Sequence, residues 1–198
     1  MTGETVAQTV YFKVPGQGNT QRTLELAYSR VRELGLTTVL VATTSGATAV
    51  QATQLFKGCE VIAVTHSAGF SEPGGQELTP EYRAVMEQTG TRILTCQHAF
   101  GGVGRAIRKQ LGTYQLDEII AYTLRLFGQG LKVAVEIALM AADAGVVGTS
   151  DPVMVVAGTG KGADTAVVLQ PANAQALFDL KILEWVCLPS PSHPAFRE

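Results

Sequence analysis

The sequence predicts an α/β fold, with three α/β/α layers around a mostly parallel mixed sheet that has an antiparallel strand near its C-terminus. Residues 39–42, 61–64 and 153–157 are short continuous apolar runs, which are typical of strands buried on both faces. Segments with helical spacing separate the earlier runs. A glycine turn alone separates residues 153–157 from residues 166–169, which indicates an antiparallel return. We expect one domain over residues 1–198.

Composition narrows the class of protein. Hydrophobic residues make up 46% of the 198 residues and the formal net charge is −2, so we expect a compact domain that does not bind nucleic acid. Three cysteines without CxxC spacing predict neither disulfides nor a metal site. No stretch resembles a signal peptide or a membrane span, so we expect a cytoplasmic protein without a membrane partner.

The first elements are a strand and a helix. Residues 10–14 alternate apolar and polar, which predicts a strand at the sheet edge. Asn19 is placed as an N-cap for a helix that runs to about Leu34 with one apolar face, and Gly35 suits the position after its end.

Residues 39–65 form the central strand–loop–helix–strand unit. The loop is rich in hydroxyls and holds one glycine where a strand turns into a helix. Unpaired N–H groups at a helix start favour an anion, so the loop predicts a phosphate cradle. Ordinary N-capping with a glycine turn is the alternative. The candidate residues are Thr43, Thr44, Ser45, Gly46 and Thr48.

This unit resembles the C-terminal α/β domain of pyruvate kinase, in particular its stand-alone prokaryotic relatives. The family's T-x-S-G-x-[ST]-A loop and following I-A-V-T strand end fall on Thr43, Ser45, Gly46, Thr48, Ala49 and residues 62–65. The resemblance extends over about Leu24 to Leu169. It implies that the loop grips a phosphate and that flavin mononucleotide (FMN) can occupy the pocket. The 198 residues hold no counterpart of the catalytic barrel, so kinase activity is not implied.

The second strand of this unit leads into a glycine-containing loop. Thr65 and His66 stand at a predicted strand end, where ligands collect in open α/β sheets, and His66 is either a ligand contact or a local cap. A helix should start at Thr79-Pro80 and a strand should follow over residues 92–96.

Residues 97–104 form another glycine-rich turn between a strand and a helix. Their spacing is not that of a dinucleotide fingerprint. Phe100 in this turn is either a stacking residue or, more simply, part of the core.

Residues 116–144 carry the longest helical pattern. Gly128 and Gly130 predict a break into two helices. The second helix is too apolar for a surface helix and should pack in the core or at a subunit contact. Glu136 within it is either exposed on the other face or paired.

The turn after residues 153–157 is the second ligand candidate. In the resembling domain the matching element closes over a sugar bisphosphate, but the tryptophan and arginine often found there are missing here. A flexible hairpin turn is the alternative. Asp164 argues against phosphate contact but could accept from a ring N–H or a sugar hydroxyl. The candidate residues are Gly158, Thr159, Gly160, Lys161, Gly162, Asp164 and Thr165.

The C-terminal part predicts a last edge strand over about residues 180–188, and Pro189, Pro191 and Pro194 should end regular structure.

Three functions stay open at this stage. The first is binding of a phosphorylated small molecule, with FMN as the best single ligand. The second is a flavin-dependent oxidoreductase or an enzyme acting on a phosphosugar, with His66, His98 and Lys161 as titratable groups at strand ends. The third is a regulatory or scaffolding subunit. Catalytic residues and the oligomeric state, including a homo-oligomer, are left open.

Overall fold

The computed structural model describes residues 3–190 of the chain. Within these residues the strands are β1 Val10–Phe12, β2 Thr38–Ala42, β3 Glu60–Val64, β4 Arg92–Leu94, β5 Val153–Ala157, β6 Thr165–Gln170 and β7 Lys181–Pro189. The α-helices are α1 Thr20–Leu34, α2 Ala47–Leu55, α3 Pro80–Gln88, α4 Val103–Leu111, α5 Leu116–Arg125 and α6 Gln129–Asp143. Two 3₁₀ helices cover Gln17–Asn19 and Ala174–Asp179.

All seven strands form one sheet in the order β1-β7-β6-β5-β2-β3-β4. β2 pairs in parallel with β3 and β5, β3 with β4, and β1 with β7. β6 runs antiparallel to both of its neighbours. The predicted mixed sheet with an antiparallel strand near the C-terminus is therefore confirmed.

Two apolar cores lie on the two faces of the sheet. One joins the sheet to α1, α2 and α3, and the other joins it to α5 and α6. These two helical layers complete the predicted α/β/α arrangement. Because α6 is buried over most of its length, its apolar composition reflects a place in the core.

Local signals located the element ends well. α1 ends at Gly35 in the left-handed region (φ 67°), and Gly128 (φ 107°) separates α5 from α6. β1 lies at the sheet edge as predicted. Left-handed backbone is readily adopted by glycine, which explains why glycine marks these two ends.

One expectation was wrong and another holds only for position. β7 is not an edge strand, because β1 adds outside it in parallel. Asn19 occupies the N-cap position of α1 as predicted, but its side chain makes no capping hydrogen bond. Its amide instead donates to the carbonyls of Val14 (2.7 Å) and Gly16 (3.3 Å) and so holds the turn before the helix. The predicted breaks at Pro191 and Pro194 lie outside the described residues.

Candidate functional site

The chain changes face at β2, and this point organises the candidate site. β2 connects through α2 on one face to its neighbour β3, while its other neighbour, β5, follows α6 on the opposite face. Such a switch opens a crevice at the carboxyl ends of the two central strands, where ligands of open α/β sheets bind. The two glycine loops that the sequence singled out, residues 43–46 and 158–164, follow these two strands.

The first loop turns directly from β2 into α2. The Thr43 hydroxyl accepts a hydrogen bond from the Gly46 N–H (3.1 Å), and the Ser45 hydroxyl lies 3.5 Å from the Ala47 N–H. Thr43 and Thr48 are buried, whereas Thr44 and Ser45 are half-buried. The hydroxyls of this loop therefore include local caps, as the simpler interpretation expects. The first turn of α2 still directs N–H groups toward the strand-end edge.

Gly46 is required by the packing of this loop. Its φ is 109°, and a Cβ at this position would lie 2.5 Å from Tyr82 Cβ and 2.8 Å from Leu78 Cδ1. The backbone is further fixed by a hydrogen bond from the Thr79 N–H to the Ser45 carbonyl (3.0 Å). The close approach that Gly46 permits is thus made by the segment at the start of α3, which braces the loop from one side.

The second loop is organised around Asp164. This carboxylate is fully buried and accepts from the N–H groups of Gly16 (2.7 Å) and Thr159 (3.2 Å) and from the Thr165 hydroxyl (2.9 Å). The Ala163 N–H donates to the Thr20 hydroxyl (3.0 Å). Asp164 therefore fastens this loop to the turn before α1.

The remaining residues of the second loop differ in their freedom. Gly162 (φ 72°) packs so closely on Gln17 that a Cβ added to Gly162 would lie 2.7 Å from the Cα of Gln17. Gly160 and Lys161 are exposed. The Thr159 hydroxyl oxygen is buried and has no hydrogen-bond partner among the described residues. Such an oxygen can bind a ligand or a water molecule that the protein itself does not replace.

Thr65 and His66 lie at the end of β3, next to the first loop. The Thr65 hydroxyl is 2.6 Å from that of Thr95, which links the ends of β3 and β4. His66 Nδ1 lies 2.6 Å from Glu77 Oε2, so the His66 ring is held by the far end of its own loop.

A buried charged cluster that sequence reasoning did not assemble lies beside these residues. Glu136 on α6 accepts from Lys132 Nζ (2.5 Å) and from the Phe100 N–H (3.1 Å), and its Oε1 lies 3.6 Å from His98 Nδ1. His98 Nε2 in turn accepts from the Ser67 N–H (3.4 Å). Of the two possibilities considered for Glu136, the structure therefore selects the paired one.

The electrostatics of this cluster favour an ionised Glu136. Burial opposes its ionisation, but the His98 imidazole and the Lys132 ammonium outweigh burial and lower the pKa of Glu136 to about 2. Burial also lowers the pKa of Lys132, and Arg105 and Arg125 lower it further against the opposing effect of Glu136. Several cations therefore gather near the start of α6, which makes the local potential more favourable for an anion.

A signal for part of this cluster was present in the sequence. Lys132 and Glu136 are four residues apart on an otherwise apolar helix, a spacing that brings two side chains together. No comparable signal identified Arg105 or Glu77. The contact of Arg105 with the Phe70 ring joins separate elements, and Glu77 meets His66 across eleven residues of a loop, where no regular spacing applies. Phe100 is buried and belongs to the apolar core, which favours the simpler of its two interpretations.

Two cavities lie elsewhere, on the α5 face of the molecule. One, of about 440 Å³, lies among α4, α5, α6 and residues 174–177, and the other, of about 520 Å³, is lined by α5 and residues 177–182. Both are mainly apolar, and among the described residues neither is lined by the two glycine loops. The hydroxyls and glycine N–H groups of the two loops lie instead at the carboxyl ends of β2 and β5, which makes these strand ends the candidate site.

Two negative findings apply to residues 3–190. They contain no group of three or more His, Cys, Asp or Glu side chains arranged to hold a metal ion. No helix among them combines the length and apolar character needed to span a membrane.

The strand order and the change of face at β2 define an open-sheet domain of the three-layer α/β class. A family model described as "Pyruvate kinase, alpha/beta domain" matches residues 21–169 of the 198. The chain therefore belongs to the pyruvate kinase α/β domain family, which confirms the resemblance drawn from the loop and its flanking strands.

Solved structures add a limited likeness of fold. One is a pyruvate kinase from Cryptosporidium parvum, with 13% identity, a TM-score of 0.39 and coverage of 76% of this chain but only 23% of that one. Another is an NH3-dependent NAD synthetase from Campylobacter jejuni in complex with the nitrate ion, with 13% identity, a TM-score of 0.37 and coverage of 69% and 54%. The chain thus spans less than a quarter of the pyruvate kinase that it matches. Neither likeness bears on function.

Proposed function

We propose that the protein binds a phosphorylated small molecule, with FMN as the best single ligand, in the crevice between residues 43–48 and 158–165. The observation that supports this most directly is the placement of two glycine loops after neighbouring parallel strands, where the chain changes face. The phosphate group would lie at the start of α2, near Thr44 and Ser45, which are not fully buried.

Other features of the crevice agree with an anionic, hydroxyl-bearing ligand. The buried Thr159 hydroxyl has unused hydrogen-bonding capacity, and the exposed Lys161 supplies a cation from the same loop. In this proposal Asp164 organises its loop through Gly16 and Thr165 and does not itself approach the phosphate. The three donors to its carboxylate stabilise the negative charge that its position in the sequence brings to the loop.

The first experiment is the visible absorption spectrum of the purified protein, followed by titration with FMN and with ribose 5-phosphate. We expect Ser45→Asp to weaken both ligands at least about tenfold through like-charge repulsion. An acid near a helix N-terminus is stabilising, so this variant should fold. The matched control is Ser150→Asp, which adds the same charge at an exposed position before β5, at the end of the strand opposite to the glycine loop.

Two results would contradict the proposal. One is a wild-type protein that binds neither FMN nor ribose 5-phosphate. The other is a Ser45→Asp variant whose affinities match those of Ser150→Asp. Binding of ribose 5-phosphate without FMN would keep the phosphate site and assign it to a phosphosugar.

An enzyme using the same site is the second candidate, as a flavin-dependent oxidoreductase or a phosphosugar-acting enzyme. The observation favouring it is the pairing of each histidine at the strand ends with a carboxylate, His66 with Glu77 and His98 with Glu136. Such pairs orient an imidazole for proton transfer. Oxidation of NADH under air in the presence of FMN, lost in His66→Ala, would support this candidate, whereas equal rates without protein would exclude NADH as its reductant.

Self-association is proposed for a separate surface, formed by Leu116, Ile119, Leu126, Phe127 and Phe178. These side chains are between 52% and 97% exposed, and three of them, Leu116, Ile119 and Phe178, line the 520 Å³ apolar groove. Phe178, at 97% exposure, projects beside the groove that could receive it, and a symmetric dimer needs both features on one surface. We therefore assign this surface to a second copy of the chain.

Light scattering after size-exclusion chromatography tests this assignment. We expect a dimer for the wild type and a monomer for Phe178→Asp. The exposed Tyr11 on β1 supplies the control variant Tyr11→Asp, which should remain dimeric. A monomeric wild type would contradict self-association and would leave a scaffolding role, through a different partner on this surface, as the remaining interpretation.

A further inference from the structure

Phe70 lies outside both apolar cores and instead fills a slot made of polar rings and a guanidinium. Its ring centroid is 4.0 Å from that of His66 and 4.8 Å from that of His98, and the His98 ring is stacked on it with an interplanar angle of 26°. Arg105 Cζ lies 5.0 Å from the Phe70 ring centroid. Phe70 is nevertheless 36% exposed and is absent from both core clusters.

The walls of this slot are fixed from behind. Glu77 holds His66, and Glu136 lies against the Nδ1 side of His98, so both imidazoles are oriented without Phe70. Imidazole faces and a guanidinium are groups that stack on flat aromatic rings and bind ring heteroatoms. A benzyl side chain uses only the stacking part of what these walls offer.

Phe70 itself sits on a segment that is anchored mainly at its ends. Residues 68–74 are exposed, and Gly69 and Gly74 have φ values of 76° and 71°. The segment's own backbone bonds include those from the Gly69 N–H to the Gly75 carbonyl and from the Phe70 N–H to the Ser67 carbonyl. Phe70 can therefore leave the slot without opening either core.

The slot is within one ligand length of the proposed phosphate loop. The Thr43 N–H donates to the Val64 carbonyl, two residues before His66. With a strand spacing of about 4.8 Å and a rise of about 3.3 Å per residue, His66 begins about 8–10 Å from that loop. A phosphate and a ring separated by a sugar or ribityl chain span a similar distance.

We propose that the slot between His66, His98 and Arg105 binds the planar heteroaromatic ring of the ligand, and that Phe70 occupies this slot until the ring displaces it. This inference rests on the proposed function, because it assigns the ring subsite of a ligand whose phosphate binds at residues 43–48. The ligand class is a flavin or a purine nucleotide, which share a flat heteroaromatic ring joined to a phosphate through a ribityl chain or a sugar.

Phe70→Ala tests the inference because it removes the competitor for the slot. We expect it to tighten FMN or AMP about three- to tenfold, the range of one or two aromatic contacts, and to leave ribose 5-phosphate unchanged. The affinity of Phe70→Ala for riboflavin, which has the ring without the phosphate, should rise by the same factor as its affinity for FMN. The protein's preference between FMN and AMP identifies the ring. The matched control is Tyr114→Ala, which removes another exposed ring beneath a guanidinium, that of Arg108, outside the slot.

Arg105→Gln is a second variant, at a half-buried position, that tests a wall of the slot. It should weaken FMN or AMP relative to ribose 5-phosphate. The inference is overturned if Phe70→Ala leaves the ratio of ring ligand to ribose 5-phosphate unchanged, or if the wild type binds ribose 5-phosphate and neither ring ligand. In both of those cases the proposed phosphate site stands. If the wild type binds none of these compounds, the proposed function fails and the inference fails with it.

Discussion

Replacing Lys132 by Met tests the buried charged cluster on α6. The ammonium group is 2.5 Å from Glu136, and the two side chains are only 6% and 3% exposed. Removing one partner of a buried ion pair leaves an uncompensated charge and typically costs about 3–5 kcal/mol of unfolding free energy. We expect Lys132→Met to lose an amount in this range at neutral pH.

The pKa of Glu136 reports the stabilisation of its carboxylate by His98 and Lys132 together. It is lowered from 4.5 to about 2 in the folded protein, which corresponds to about 3 kcal/mol of differential stabilisation of the carboxylate. Because the folded-state pKa is the lower one, this stabilisation is present above about pH 4.5 and is lost as the pH falls toward 2. The unfolding free energy of the wild type should therefore decrease as the pH falls through that window, and that of Glu136→Gln should decrease less.

The assay is urea unfolding followed by the fluorescence of Trp185, which is the chain's single tryptophan. The double variant Lys132→Met/Glu136→Gln removes both charges and keeps an oxygen for the Phe100 N–H, so it should recover at least half of the loss. The exposed pair of Arg22 and Glu25 supplies the control, since Arg22→Met should have no measurable effect. A loss below about 1 kcal/mol for Lys132→Met, or no recovery in the double variant, would refute the assigned role of the pair.

Two further predictions concern residues near the carboxyl ends of the central strands. Gly130→Ala should destabilise the fold by about 1–3 kcal/mol despite the better helix propensity of alanine, because its Cβ would lie 2.5 Å from Thr165 Cβ. Gly148→Ala, where no atom lies within 4 Å of the added Cβ, should stay within about 0.5 kcal/mol of the wild type in the same urea assay. Asp164→Asn should cost about 2–3 kcal/mol, because an amide cannot accept all the hydrogen bonds that the carboxylate accepts, including that from Gly16. Thermal unfolding that matches the wild type would contradict the organising role of Asp164.

Patterns along the chain were sufficient to locate most elements. The apolar runs of β2, β3 and β5 are buried on both faces, and the glycine-marked break between α5 and α6 occurs at Gly128. These features depend on neighbouring residues, whose periodicity and backbone freedom can be read directly. The position of β7 could not be predicted in the same way, because its pairing with β1 joins residues about 180 positions apart.

The candidate site likewise contains some features that the sequence predicted and others that it could not predict. The two glycine loops were recognisable because each lies between a buried strand and the next element, and the family match over residues 21–169 agrees with that interpretation of the fold. The partners of Asp164 and the slot around Phe70 were not recognisable. Gly16 is 148 residues from Asp164, and the slot joins groups from the loop after β3, the loop after β4 and helix α4.

The sequence by itself determined the class of fold and the strand-end location of the two loops, because these follow from local burial and backbone conformation. Tertiary structure alone decided the strand order, the contacts of Glu136 with His98 and with the Phe100 N–H, and the occupation of the slot by Phe70. Each of these depends on which distant segments the sheet brings into contact, and side-chain type along the chain carries no direct record of that.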